Sequence, residues 1–184
     1  MSTFKVLLAL LLFAGACTKS EPSKNDQASS SGGGPAKPGS KCQGANCLPD
    51  VKYVDTIGKA YTPENLTGKV VVVNFWATWC KPCLKEIPDL SKVQERYKDK
   101  GVVILGLMTD NPDSQQLLNF QSDNEMTYPV VRVNSDILVS YNYPESLPTT
   151  FVFDRTGKQV FSHVGAVSEQ KLVELLEPLI AQKL

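Results

Sequence analysis

From residue 70 onward the chain alternates short, wholly apolar runs with stretches in which apolar residues recur every three or four positions. Val70-Val71-Val72-Val73-Asn74-Phe75-Trp76 is β-branched and aromatic, the make-up of a strand buried on both faces. From Lys81 to about Lys98, residues Leu84, Ile87, Leu90, Val93 and Tyr97 keep helical spacing, which predicts a helix with one buried stripe, stopped by Gly101. Val102-Val103-Ile104-Leu105-Gly106-Leu107 predicts a second buried strand. Asn111 or Asp110 is placed to cap a helix starting at Pro112 and carrying Leu117, Leu118 and Phe120. A short strand over Val130 to Val133, a helical turn over Ile137 to Tyr141 and a third strand over Thr149 to Phe153 follow. Asp154-Arg155-Thr156-Gly157 is a turn sequence, so Lys158 to Val164 pairs back as a hairpin strand. Ser168 caps a last helix bearing Leu172, Val173, Leu175, Leu176, Leu179 and Ile180. The order β-α-β-α-β-β-α predicts an α/β fold, a mixed central sheet flanked by helices on both faces. Tyr53 and Tyr61 are assigned to an extra N-terminal β-hairpin.

Two earlier segments break this pattern. From Val6 to Ala16 every residue is apolar or Gly, and Lys5 is the only charge before Lys19. The run is about half the ~20 residues that span a bilayer, and its order suits a secretory signal. Ala14-Gly15-Ala16-Cys17 resembles the lipobox of bacterial lipoproteins, with Ala14 where that family usually has Leu. The resemblance implies a lipoprotein-type signal peptide over 1–16 and lipidation of Cys17, which would hold the product to a membrane surface. Residues 20–40 contain six Ser, four Gly and three Pro and no Val, Ile, Leu, Met or aromatic. Such a segment buries too little apolar surface to offset its ordering entropy. Residues 17–47 are therefore expected to be a lipidated, flexible linker and 48–184 the working domain.

Charge narrows the partners. The chain has 19 Lys plus Arg against 19 Asp plus Glu, so a general electrostatic grip on nucleic acid is not supported. The Lys-rich stretch from Lys92 to Lys100 alternates with acids and reads as a solvated helix face.

The chemistry lies in Trp79-Cys80-Lys81-Pro82-Cys83, after a buried strand and at a helix start. Unpaired N–H groups and the positive end of the helix dipole favour a thiolate there, and Lys81 adds a cation. Pro82 fits the first helical turn, where a missing N–H costs little. This context resembles thioredoxin. More closely, residues 48–182 resemble the membrane-anchored, thioredoxin-like thiol–disulfide oxidoreductases that include TlpA and ResA. The motifs are Val73-Asn74-Phe75-Trp76-Ala77-Thr78-Trp79-Cys80-Lys81-Pro82-Cys83 and Leu147-Pro148-Thr149-Thr150-Phe151.

The resemblance implies a thioredoxin fold with Cys80 as the attacking, more exposed cysteine and Cys83 as the buried resolving one. It makes Pro148 the cis-proline facing the disulfide, beside Leu147 on the substrate-holding edge. Trp79, Lys81 and Pro82 would flank the substrate, and Trp76 belongs to the core. Pro88 matches the family's mid-helix kink. Asn74 stands where thioredoxin has a buried Asp, and Asn cannot take a proton from Cys83. Glu86, one turn after Cys83, matches the acidic residue that tunes the thiols and moves protons in the ResA-like group. Its other reading is a solvated carboxylate near the helix start.

The activity implied is protein-disulfide reduction, with no cofactor beyond the redox-active Cys80–Cys83 pair and no metal. Its partners are disulfide-bearing envelope proteins, as in cytochrome c maturation, and a membrane electron donor. The protein is expected to be a monomer on the outer side of a membrane. A disulfide-donating oxidase or an isomerase is the near alternative. Cys42 and Cys47 are expected to form a structural disulfide at the domain entrance, with a second redox pair feeding Cys80–Cys83 as the alternative. A zinc site shared with Cys80 and Cys83 is disfavoured by the four-residue spacer beside a tether. His163, the sole histidine, reads as structural or solvated. The sharper alternative makes it a copper ligand with Cys80 and Cys83, although copper-delivery proteins of this fold separate their cysteines by three residues rather than two.

Overall fold

The structure is a computed structural model and describes residues 42, 44 and 46–182. Cys17 and the segments assigned to the signal peptide and most of the linker lie outside the described residues.

A five-stranded sheet of order β5-β4-β3-β6-β7 forms the centre. Its strands are β3 (Val70–Trp76), β4 (Val102–Met108), β5 (Val130–Arg132), β6 (Thr149–Phe153) and β7 (Gln159–Val164). β3, β4 and β5 run parallel; β6 and β7 add antiparallel on the other side of β3. Every residue of β3 is buried, as its unbroken apolar run requires of a central strand covered on both faces.

Helices α2 (Lys81–Tyr97), α3 (Ser114–Asp123) and α5 (Glu169–Ala181) supply apolar side chains to one face. There Val70 and Val72 pack with Leu90, Val93, Leu172 and Leu176, and Trp76 packs with Ile87 and Leu117. The opposite face carries Val71, Val73 and Phe75. It is covered by Leu66 of α1 (Pro63–Leu66), by Ile137 of α4 (Ser135–Ser140) with the following Tyr141, and by the hairpin β1 (Tyr53–Val54) and β2 (Ala60–Tyr61). Tyr53 pairs with Tyr61 across that hairpin, and its hydroxyl lies 2.8 Å from that of Tyr141. The predicted α/β architecture and the extra hairpin are both present.

One boundary differs from expectation. α3 starts at Ser114, not Pro112, and its cap is Asp113 rather than Asn111 or Asp110. Asp113 Oδ1 accepts from Gln116 N at 2.9 Å, and Gln116 Oε1 accepts from Asp113 N at 3.3 Å, a reciprocal capping box. Asp110 and Asn111 are engaged elsewhere: Asp110 holds Thr78, and Asn111 accepts from Arg132 at 2.6 Å. Leu118, placed on the predicted stripe, is half-exposed, while Leu117 is buried.

Candidate active site at the start of the second helix

β3 ends at Trp76, and the chain reaches α2 through Ala77-Thr78-Trp79-Cys80. This connection is braced from the neighbouring loop after β4. Thr109 N donates to Trp76 O at 2.9 Å, and Thr78 donates through both its backbone N–H and its hydroxyl to the Asp110 carboxylate. Cys80 N donates to Ala77 O at 3.1 Å and closes the turn. Cys80 is then the N-cap of α2, with extended backbone angles, and Pro82 falls in the first turn, where no intrahelical N–H is needed.

Cys80 and Cys83 are joined by a disulfide, and Cys80 Sγ accepts from Cys83 N at 3.3 Å. Cys80 is 4% exposed and Cys83 0%, so the accessible sulfur is that of Cys80, by a narrow margin. Trp79 beside them is 70% exposed, whereas Trp76 is wholly buried and stacks on Phe120 at 5.4 Å between ring centres. Lys81 and Pro82 are exposed. The peptide bond between Leu147 and Pro148 is cis. Leu147 is half-buried and packs against the cluster that contains Cys80 and Cys83; Pro148 is buried, and its carbonyl accepts from Gly165 N at 2.8 Å.

Behind the disulfide lies a buried polar network. Glu86 comes one helical turn after Cys83 on the inward stripe of α2 and is 2% exposed. Its Oε1 accepts from Asn74 Nδ2 at 2.8 Å and its Oε2 from Val167 N at 2.9 Å. Asn74 Nδ2 also donates to Thr150 Oγ1 at 3.0 Å. Burial pushes the Glu86 carboxyl up to about 7, against the two hydrogen bonds that favour its charged form; the Asp89 carboxylate adds to the upward shift. Glu86 is therefore a buried group near its titration point at neutral pH, not a solvated first-turn carboxylate.

Three predicted residues, His163, Cys42 and Cys47, stand apart from this cluster. His163 is exposed on β7, opposite Thr150, with its ring stacked on Phe161 at 6.0 Å. Among the described residues it does not combine with Cys80 and Cys83 into a group able to hold a metal ion. Cys42 and Cys47 form the second disulfide. Cys47 bridges to Lys158, Gln159 N donates to Asn46 O at 2.8 Å, and Leu48 N donates to Gly157 O at 2.7 Å. This disulfide thus borders the β6–β7 turn. The active-site end of the same strands is marked by Thr149 and Val164, about 17 Å away for strands of five to six residues. The two disulfides do not meet within one molecule.

Sequence reading missed Asp110, Thr150 and Val167. Asp110 carried only a capping signal. Thr150 is visible in the Pro148-Thr149-Thr150 run, but its link to Asn74 is made by cross-strand register. Val167 acts through its backbone and leaves no side-chain signal.

The sequence and the fold both have known counterparts. The AhpC/TSA family profile matches residues 45–161. The chain belongs to the AhpC/TSA family. Among its relatives, the thioredoxin-like protein YneN of Bacillus subtilis is 32% identical over 130 residues, covering 70% of this chain and 76% of YneN. The thiol–disulfide oxidoreductase ResA of Bacillus thuringiensis is 34% identical over 131 residues, covering 71% of this chain and 75% of ResA. Among solved structures, a thiol:disulfide interchange protein of the thioredoxin family from Chlorobium tepidum is 28% identical with a TM-score of 0.67, over 74% of this chain and 97% of that one. This member of the family is a thiol–disulfide oxidoreductase of the thioredoxin fold, as its resemblance to the ResA-like proteins implied.

Proposed function

We propose that the protein is an exported dithiol reductant, held at a membrane surface by lipid on Cys17, that reduces disulfides in envelope proteins, those of cytochrome c maturation among them. Residues 1–16 are the lipoprotein-type signal, 17–47 the lipidated Cys and tether, and 48–184 the thioredoxin-like domain. The observation that carries the reading is the Cys80–Cys83 pair at the α2 N-terminus with Glu86 buried one turn behind it.

In the reduced protein the Cys80 thiolate attacks one sulfur of a substrate disulfide. A Cys80–substrate disulfide forms as the substrate S–S bond breaks, and the second substrate sulfur leaves as a thiolate that takes up a proton. Cys83 gives up its proton and attacks Cys80 Sγ, closing Cys80–Cys83 and releasing the remaining substrate thiol. Two electrons pass to the substrate, whose two thiols take up one proton originating on Cys83 and one from solvent. Glu86, near its titration point, accepts the Cys83 proton. Taking that proton neutralises the carboxylate and removes its repulsion of the Cys83 thiolate, which is the species that attacks Cys80 Sγ and closes the disulfide. The exposed Trp79, the helix-start residues Lys81 and Pro82, and the Leu147–Pro148 edge hold the substrate. A membrane electron donor re-reduces the pair. The protein works as a monomer, without nucleic acid, metal or cofactor.

The deciding measurement is the reduction potential of Cys80–Cys83 in the full chain, by equilibration in defined thiol buffers, alkylation and peptide mass mapping. A two-electron couple near or below about −250 mV supports the reductant; one near −120 mV makes the protein a disulfide donor and overturns this reading. Detergent-phase partitioning that survives Cys17→Ala would remove the lipid anchor.

A further inference from the structure

Asn74 Oδ1, Trp76 Nε1 and Tyr128 Oη are buried without a hydrogen-bond partner. An unpaired buried polar group costs about 1–3 kcal/mol, so three in one region of a native core require an account. They lie on the same face of the sheet. Asn74 and Trp76 are two residues apart on β3, and Asn74 is the cross-strand partner of Gly106 on β4. A Cβ on Gly106 would stand 2.7 Å from Tyr128 Cε2 and 3.1 Å from Trp76 Nε1. The bare glycine is what lets the phenol ring and the indole close over the strand beside Asn74.

The three groups are chemically complementary to one small polar molecule. The indole can only donate and the amide oxygen can only accept, while the phenol does either. The orientation of the Asn74 amide is not free to exchange these roles, because Nδ2 gives its two hydrogens to Glu86 Oε1 and Thr150 Oγ1. A water that accepts from Trp76, donates to Asn74 Oδ1 and shares a third bond with Tyr128 makes the three bonds common for buried water.

We propose that Asn74, Trp76 and Tyr128 hold one buried water beside Gly106, and that this water sets how strongly Asn74 grips the Glu86 carboxylate. A donor on Oδ1 polarises the amide and strengthens donation from Nδ2, as in any chain of hydrogen bonds. Trp76 and Tyr128 are then positioning residues that act on Glu86 through Asn74. In the oxidised protein the titratable groups bearing on Glu86 are Asp89, one turn further along α2, and Tyr128 ahead of β5. β3 and β6 present the neutral Asn74 and Thr150, and the segment before α5 presents the Val167 N–H. The inference deepens the proposed proton role of Glu86 and rests on it for its consequence, not for the water site itself.

The test uses the full, oxidised chain labelled with nitrogen-15 and carbon-13. Trp76 and Trp79 are the only tryptophans, so the buried indole signal is readily assigned. The expected result is a long-lived water contact at the Trp76 indole N–H that Tyr128→Phe removes. The same variant raises the Glu86 carboxyl midpoint by about half a pH unit, roughly threefold in proton affinity. Trp76→Phe keeps an aromatic ring on Phe120, removes the donor and is expected to move the midpoint the same way. It serves as the second test if Tyr128→Phe does not fold. Absence of the water contact, or a Glu86 midpoint unchanged in both variants, overturns the proposal. Exchange kinetics of Glu86→Gln report separately on the proton role: if they match wild type while the water contact and the Tyr128-dependent midpoint persist, the water site stands and the proton role falls.

Discussion

Asn74 Nδ2 stands 2.8 Å from Glu86 Oε1, tying the middle of the central strand to the inward stripe of the active-site helix. The strand contributes a neutral amide where a carboxylate would repel Glu86, and the helix contributes the one acid buried behind the disulfide. The buried carboxyl thereby sits on α2, with the cysteines, and not on the strand.

That placement has a stability signature. Glu86 is raised from 4.5 to about 7 by burial, so the folded protein holds this proton more tightly than the unfolded chain. The contribution is fully present below about pH 4.5 and is lost as pH rises through about 7, on the order of 3 kcal/mol in all. Denaturant unfolding of the oxidised protein across that window should show the decline in wild type and its loss in Glu86→Gln. Parallel curves would exclude Glu86 as its source.

The two cysteines should be separable by trapping. Cys80→Ser is expected to reduce disulfide exchange to background. Cys83→Ser should accumulate a Cys80–substrate adduct, because the first attack proceeds and the second cannot. Mass spectrometry of the quenched reaction checks both, and an adduct on Cys83 would reverse their order.

Trp79 is exposed, so its loss should affect docking more than folding. For Trp79→Ala we expect KM for a protein disulfide to rise about tenfold, the effect of losing roughly 1.4 kcal/mol of uniform binding, with kcat kept. Stability should stay within about 0.5 kcal/mol of wild type. A fall in kcat alone would place Trp79 in the chemical step instead.

Asp110 braces the turn that delivers Cys80, through two donors of Thr78. Asp110→Ala should cost about 2 kcal/mol of stability and slow exchange about tenfold, since the attacking sulfur is no longer fixed. Asp110→Asn, which retains an acceptor, should recover part of both. Equal losses in the two variants would argue for charge rather than the hydrogen bonds.

The Cys42–Cys47 disulfide closes a loop of six residues, for which the chain-entropy estimate is about 2 kcal/mol. Replacing both by Ser should cost up to that amount and speed hydrogen exchange at Leu48 and Gln159, whose amides hold the segment to the β6–β7 turn. The rate of substrate reduction should not change, because the two disulfides lie at opposite ends of the strands. A slower rate would restore the relay reading of this pair.

Much of this was legible before any coordinates. The Val70–Trp76 run could only be a central strand, because four consecutive valines followed by Phe and Trp need cover on both faces. The predicted α2 stripe of Leu84, Ile87, Leu90, Val93 and Tyr97 holds for all but the half-buried Leu84, and the structure adds Cys83 and Glu86 to the buried side. What periodicity left open was whether Glu86 is solvated, since a carboxyl on that stripe near a helix start can reach water. The misplaced start of α3 has a related cause. Asp110, Asn111 and Asp113 are all competent caps, and local chemistry does not reveal that Thr78 and Arg132 take the first two.

The sequence by itself determined the strands of the central sheet, the main helices between them, their order and the reactive pair, though not the short helix α1, because these depend on spacing along one chain: alternation, helical stripes, and two cysteines three apart at a helix start. Only the tertiary structure decided which polar groups meet. Asn74, Glu86, Thr150 and Val167 come from a strand, a helix, a second strand and a loop, and cross-strand register together with helix packing links them in a chain: Thr150 to Asn74 at 3.0 Å, Asn74 to Glu86 at 2.8 Å and Glu86 to Val167 at 2.9 Å. Burial, which sets the proton affinity of Glu86, is likewise a property of everything packed around the residue and is not encoded at any single position.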